Sequence, residues 1–190
     1  MGMLTLEKAR ELLARHTSEE HLFTHAQAVS AAMGAMAEHF GMDAAEKEHW
    51  EAIGYLHDVD YEQFPDEHCH HVREMLEPEG VEAADIAAII SHGYGVTTEE
   101  REPQTDMEKS LFAVDELTGI VQAYALMRPE KMEGMAVKSL KKKFKDKRFA
   151  AGCNREIIQR GCDKLGMELG EVMGCCIAGM QAHAEALGLG

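Results

Sequence analysis

A histidine and a carboxylate stand side by side at His57-Asp58, closing the apolar run Ile53-Gly54-Tyr55-Leu56. An ionised carboxylate at the end of a buried helix is costly unless a partner neutralises it. A divalent cation would use both residues at once, because imidazole nitrogen and carboxylate oxygen are good ligands for the same borderline metals. The pair alone is a common dipeptide, so the argument turns on what else the chain supplies. Four further candidates sit at core-facing positions. His25 lies three after Leu22 and four before Val29. His92 lies three after Ile89. Asp115 interrupts Leu111-Phe112-Ala113-Val114. The fourth comes from the crowded segment His68-Cys69-His70-His71. Taken alone, His25 would read as a core histidine satisfied by a backbone carbonyl. Asp115 would want several donors as a structural carboxylate, and its own helix offers only Thr118, so a metal ligand is the better account.

The elements that must position these residues are helical. Leu6, Ala9, Leu12 and Leu13 predict a short helix over Thr5 to about Ala14. Thr17-Ser18-Glu19-Glu20 looks like a capping box opening a helix to about Phe40, with Leu22, Val29, Ala32, Met33 and Met36 on its apolar face. Asp43-Ala44-Ala45-Glu46 opens the helix that carries Trp50, Ile53 and Leu56 to the His57-Asp58 pair. Adjacent helical residues diverge by about 100°. Both can therefore meet one ion only where that helix ends. Pro65 to Leu76 is expected as a helix with His68 and His71 on one face, and Val81 to about His92 as another. Residues 96–104 form a polar loop, and Thr105-Asp106-Met107-Glu108 caps the helix of Asp115. A lysine-rich stretch covers 137–149, Asn154 caps a helix through Leu165, and a last helix runs from Leu169 to Leu187. No segment alternates as a strand does, so the class is all-α, a compact helical bundle.

The totals narrow the function. One domain is the default for 190 residues, here 1–190, with a metal-binding core of about 18–126 and C-terminal helices 129–188 packed on it. A formal charge of −15 repels a nucleic-acid backbone, so duplex binding is not expected. No apolar run is long enough for a bilayer and the N-terminus lacks a signal-peptide centre, so a cytoplasmic protein without a membrane partner is expected. Five cysteines without a Cys-x-x-Cys pair read neither as a disulfide framework nor as a thiolate zinc site. No pattern fixes an oligomeric state.

In order, His25, His57-Asp58, a central histidine, His92 and Asp115 resemble the HD-domain superfamily of metal-dependent phosphohydrolases, whose pattern is H…HD…D on a helical core. The segments Leu56 to Tyr61, Glu67-His68, Ser91-His92, Phe112 to Gly119 and Val137 to Lys143 look closest to small stand-alone HDIG-related bacterial proteins. The resemblance implies a first metal on His25, His57, Asp58 and Asp115. It implies a second on His68 and His92, with Asp58 bridging. His68 is preferred to His70 and His71 on the family's spacing alone. One or two divalent transition ions (Mn, Fe, Ni, Co or Zn) would serve, with Asp58 and His92 as catalytic groups. Many members carry a lysine soon after the HD pair, and this chain has Asp60-Tyr61 there. Lys109, or Lys141 and Lys142 from the basic stretch, is the expected replacement contact for a small anionic phosphorylated substrate. Two dications against two aspartates leave a doubly positive site. Close charges interact at about 4 kcal/mol per pair at an effective dielectric of about 20, while the acidic surface is screened beyond about 8 Å.

The first reading is therefore a metal-dependent phosphohydrolase acting on a small phosphate ester, with a nucleotide among the candidates. The alternative is a mixed-valence di-iron oxygenase on the same ligand set. A third is a non-catalytic metal-stabilised binding module.

Overall fold

The computed structural model describes residues 2–190. Its first helix, α1 (Leu6–His16), starts where Thr5 accepts a hydrogen bond from the Lys8 amide, and it buries Ala9, Leu12 and Leu13. The next helix, α2 (Glu20–His39), is not opened by a capping box. Its N-cap is Glu19, without a side-chain cap. The carboxylate of Glu62 accepts from the Ser18 amide at 3.0 Å and the Glu19 amide at 2.8 Å. A residue from the turn after the His-Asp pair thus satisfies the free amides that a local cap would otherwise take.

Asp43 does cap α3 (Ala44–Leu56), accepting from the Glu46 amide at 2.9 Å. α3 seats on α2 through Gly54. A β-carbon there would lie 2.9 Å from Met33 Cγ and 3.1 Å from the Val29 carbonyl. That close approach sits three residues before His57 and four after His25's place on the facing helix, so it sets the distance between the two imidazoles.

The segment expected as one helix over Pro65 to Leu76 divides. A 3-10 turn covers Pro65–Glu67, and α4 begins only at Val72 and ends at Leu76. Between them Cys69 adopts φ 75°, a left-handed conformation that no helix continues through. A second 3-10 turn, Glu77–Glu79, leads to α5 (Ala83–Ser91). Here His49 of α3 and the buried Asp85 meet at 2.7 Å, fixing α5 to α3.

The long helix α6 (Asp106–Met127) starts with the expected capping box of Thr105 and Glu108. Glu108, 2 % exposed, also accepts from Arg101 at 2.9 Å and 3.1 Å. α7 (Val137–Lys145), α8 (Arg155–Leu165, capped by Asn154) and α9 (Leu169–Ala182) complete the chain. The last helix ends at Ala182 and gives way to turns, short of the expected Leu187. No strand occurs among the described residues, only an isolated bridge of Tyr94 with Thr98. No helix is long and apolar enough to cross a membrane.

α2 lies between α3, α6 and α9, and α8 packs along α6. Met33, Met36, Ile53, Leu56, Ile89, Ile90, Leu111 and Leu117 fill the space between these helices and are fully buried. Each such side chain contributes roughly 1.5–3 kcal/mol of transfer free energy. Glycine allows the tightest crossings: a β-carbon at Gly179 would lie 2.3 Å from the Ala31 carbonyl, and one at Gly161 would lie 2.5 Å from Ala113 Cα. The helices bearing His25, His57 and Asp115 are thereby held as one packed unit.

Candidate metal centre

His25 comes from the second turn of α2 and Asp115 from the middle of α6. His57 is the C-cap of α3, and Asp58 follows as the chain leaves the helix. That exit lets two adjacent side chains face the same point. The Asp115 Oδ1 atom lies 2.9 Å from His25 Nε2 and 3.1 Å from His57 Nε2, and the two nitrogens are 3.2 Å apart. Asp58 Oδ2 lies 3.2 Å from His57 Nε2 and 3.4 Å from His25 Nε2.

The other oxygen of Asp58 faces a second group. Oδ1 is 3.1 Å from His68 Nε2 and 3.3 Å from His92 Nε2, and those nitrogens are 2.9 Å apart. One carboxylate therefore links two clusters, with one oxygen in each.

The outer nitrogens decide what these inner ones are. His57 Nδ1 lies 2.6 Å from the Gly54 carbonyl, and His92 Nδ1 contacts the Ile89 carbonyl. His68 Nδ1 lies 2.8 Å from Asp60 Oδ1. Carbonyls and carboxylates only accept, so each Nδ1 carries a proton and each ring, once neutral, offers its Nε2 lone pair. Three such lone pairs, each about 3 Å from carboxylate oxygens or from one another, repel unless a cation lies between them. Protons do not fill all three places, because two imidazolium charges 3 Å apart cost about 5–6 kcal/mol at an effective dielectric of about 20. Ligand atoms on a shared ion with bonds of about 2.1 Å stand about 3.0–3.4 Å apart. The separations found are those, so the donor set fits two divalent ions.

Electrostatics agree. Burial pushes the Asp58 and Asp115 carboxyls up, but the His57 charge and hydrogen bonds from His25 outweigh it and hold both well below the carboxylate range. Burial pulls His25 down, while Asp115 and Asp58 raise it to about 10. His57, His68 and His92 are likewise raised against burial, with Asp58 acting on all three.

All six predicted ligands converge. His70 and His71 do not: His70 turns to the Thr97 carbonyl, and His71 stacks on Phe64 between Glu67 and Glu74. His92 turns Nδ1 to the Ile89 carbonyl and Nε2 to His68 and Asp58, and it does not line the open cavity.

That cavity, about 340 Å³, opens onto His25, Asp58, His68 and Asp115 and is walled by Tyr61, Glu116, Gly119 and Cys153. Burial raises the Glu116 carboxyl, and the neighbouring Asp115 charge adds to the rise. Lys109, Lys141 and Lys142 are absent from the wall. Lys109 precedes Asp115 by six residues, about 600° of rotation, which leaves it some 120° around α6. α7 packs on α9, where the Lys141 amine lies over Gly170. Two contributors were not foreseen. Asp60, fully buried, orients His68 and accepts from the His71 amide at 3.2 Å. Cys69 stands 3.9 Å from His92 Nε2. A second carboxylate two residues after the pair, directly following the apolar Val59, was the available signal for Asp60.

Among curated proteins and among solved structures nothing matches this chain. The family model described as the HD domain matches residues 22–120, just over half of it. That span contains all six converging ligands, and the chain belongs to the HD-domain family.

Proposed function

We propose that the protein is a metal-dependent phosphohydrolase acting on a small phosphate ester. The observation that carries this reading is the split Asp58 carboxylate, one oxygen in each of two ligand clusters, beside an open cavity. Divalent ions in such a pair lower the pKa of water toward about 7 and offset charge building on a phosphoryl oxygen. The chain's own residues do the rest. Gly54, Ile89 and Asp60 fix three imidazoles in the ligating tautomer. The ring of Tyr61 stands edge-on to His68, 5.3 Å between centroids, and bounds the cavity on one side. Glu116 and Cys153 also line it, and the organic part of an ester would lie against this wall. In this reading Glu116, on the cavity wall, meets the leaving oxygen.

The test is phosphate release from a panel of nucleotides and sugar phosphates by protein loaded with Mn, Co, Zn, Ni or Fe. Turnover that needs metal and disappears in Asp58→Ala supports the reading. Turnover that persists in Asp58→Ala with metal removed contradicts it. One feature favours the mixed-valence di-iron oxygenase as the second reading: the cavity wall holds neither lysine nor arginine for a phosphate. Oxygen uptake with a mixed-valence iron signal in electron paramagnetic resonance, without phosphate release, would select it.

A further inference from the structure

Cys69 is buried, 3 % exposed, yet it is not part of the apolar core that holds Cys162 and Cys176. Its surroundings are polar: His68 beside it in sequence, His92 Nε2 at 3.9 Å, and Thr97 across Gly93. Two backbone features serve this position. Cys69 takes a left-handed conformation, φ 75°, that side chains other than glycine's rarely adopt. Gly93, directly after His92, leaves the room its sulfur occupies, since a β-carbon there would lie 2.7 Å from Cys69 Sγ. Cys69, His68 and His92 each offer one ligand atom, all within 4.8 Å of one another. For bonds of about 2.3 Å to sulfur and about 2.05 Å to nitrogen, a tetrahedral pair is about 3.6 Å apart and an opposed pair about 4.3 Å. The observed 3.9 Å lies between. His68 and His92 each turn Nδ1 to an acceptor and aim Nε2 at the same point, the two nitrogens 2.9 Å apart.

We propose that Cys69 is a thiolate ligand of the second metal, which makes that site an Asp-His-His-Cys set rather than an all-nitrogen-and-oxygen one. The inference rests on the two-cluster reading above. Binding forms one metal–sulfur bond and breaks the S–H bond, the proton passing to solvent. Two consequences follow. A soft sulfur selects zinc, cobalt or iron over manganese or magnesium at this position. The pair of dications would face three negative ligands, leaving the centre singly rather than doubly positive toward its substrate.

The test uses full-length protein loaded with cobalt(II). Cobalt thiolates absorb in the near ultraviolet, apart from the visible bands that nitrogen and oxygen ligands also give. The expected result is a near-ultraviolet band in the wild type that is lost in Cys69→Gly and kept in Cys153→Ser. Cys153 is the control because it lines the cavity by the first cluster. Glycine suits the left-handed backbone, so metal-free Cys69→Gly should melt no lower than the wild type. Its second cobalt should nevertheless bind more than about 10-fold more weakly, the least that loss of even an outer partner costs. Visible bands from two cobalt ions without the sulfur band, or a band that survives Cys69→Gly, would overturn the proposal and leave the metal centre standing. No cobalt binding at all would overturn both.

Discussion

Asp60 offers the sharpest perturbation, because it touches one cluster and not the other. Its carboxylate is fully buried and accepts two hydrogen bonds, from His68 Nδ1 at 2.8 Å and from the His71 amide at 3.2 Å. Asp60→Asn keeps the shape and replaces one acceptor by a donor. If the amide oxygen stays on His68, the new NH2 faces the His71 N–H, and a buried unsatisfied donor costs about 1–3 kcal/mol of folding stability. If the amide turns over, His68 must move its proton from Nδ1 to Nε2, where it blocks the ligating position. Outer partners of metal-bound histidines are worth about 10–100-fold in affinity, roughly 1.4–2.7 kcal/mol. The first cluster makes no contact with Asp60 and is linked to it only through the shared Asp58, so its loss of affinity should be the smaller. A zinc titration against a chromophoric chelator separates the two sites. The second site should fall by about 10–100-fold and the first by less. An unchanged second site, or equal loss at both, would refute the assignment of Asp60 as the group that aims His68.

Three further outcomes follow from the packing and the charges. Gly179→Ala should destabilise the fold by about 1–3 kcal/mol in chemical denaturation, because overpacking against the Ala31 carbonyl outweighs a helix-propensity gain of about 1 kcal/mol. His49 is raised above its ordinary 6.5, chiefly by its bond to Asp85 and against burial. That pair's contribution is therefore complete below about pH 6.5 and lost as pH rises through the raised folded value; His49→Gln should flatten this slope in thermal melts taken across that range. The protons held on His25 and its neighbours must leave when metal enters, so apparent affinity should rise with pH by about 10-fold per unit for each proton displaced. Calorimetric titration in two buffers of different ionisation enthalpy measures the proton count, and identical heats would contradict it.

The sequence made His25, His57, Asp58 and Asp115 legible for a physical reason. Each lies on or at the end of a long helix with apolar neighbours at helical spacing, and Asp43 and Thr105 mark two of those helices through local hydrogen bonds. The side of the site made by residues 60–71 was not legible in the same way. His68 was preferred on family spacing alone, and neither Asp60 nor Cys69 was read as part of the site. There the backbone is irregular, and its course is set by a left-handed Cys69 and by contacts from far along the chain. The Thr17 capping signal misled for a related reason: Glu62, remote in sequence, took the amides first. The lysine run advertised charge but not direction, and α7's packing on α9 turned Lys141 from the cavity.

The central claim is that two ions share Asp58. Anomalous diffraction from crystals of the zinc- or cobalt-loaded protein tests it most directly. The account predicts two peaks about 3.5–4 Å apart, one among His25, His57, Asp58 and Asp115 and one among Asp58, His68 and His92. A single peak away from Asp58, or none in protein shown by elemental analysis to contain metal, would contradict it.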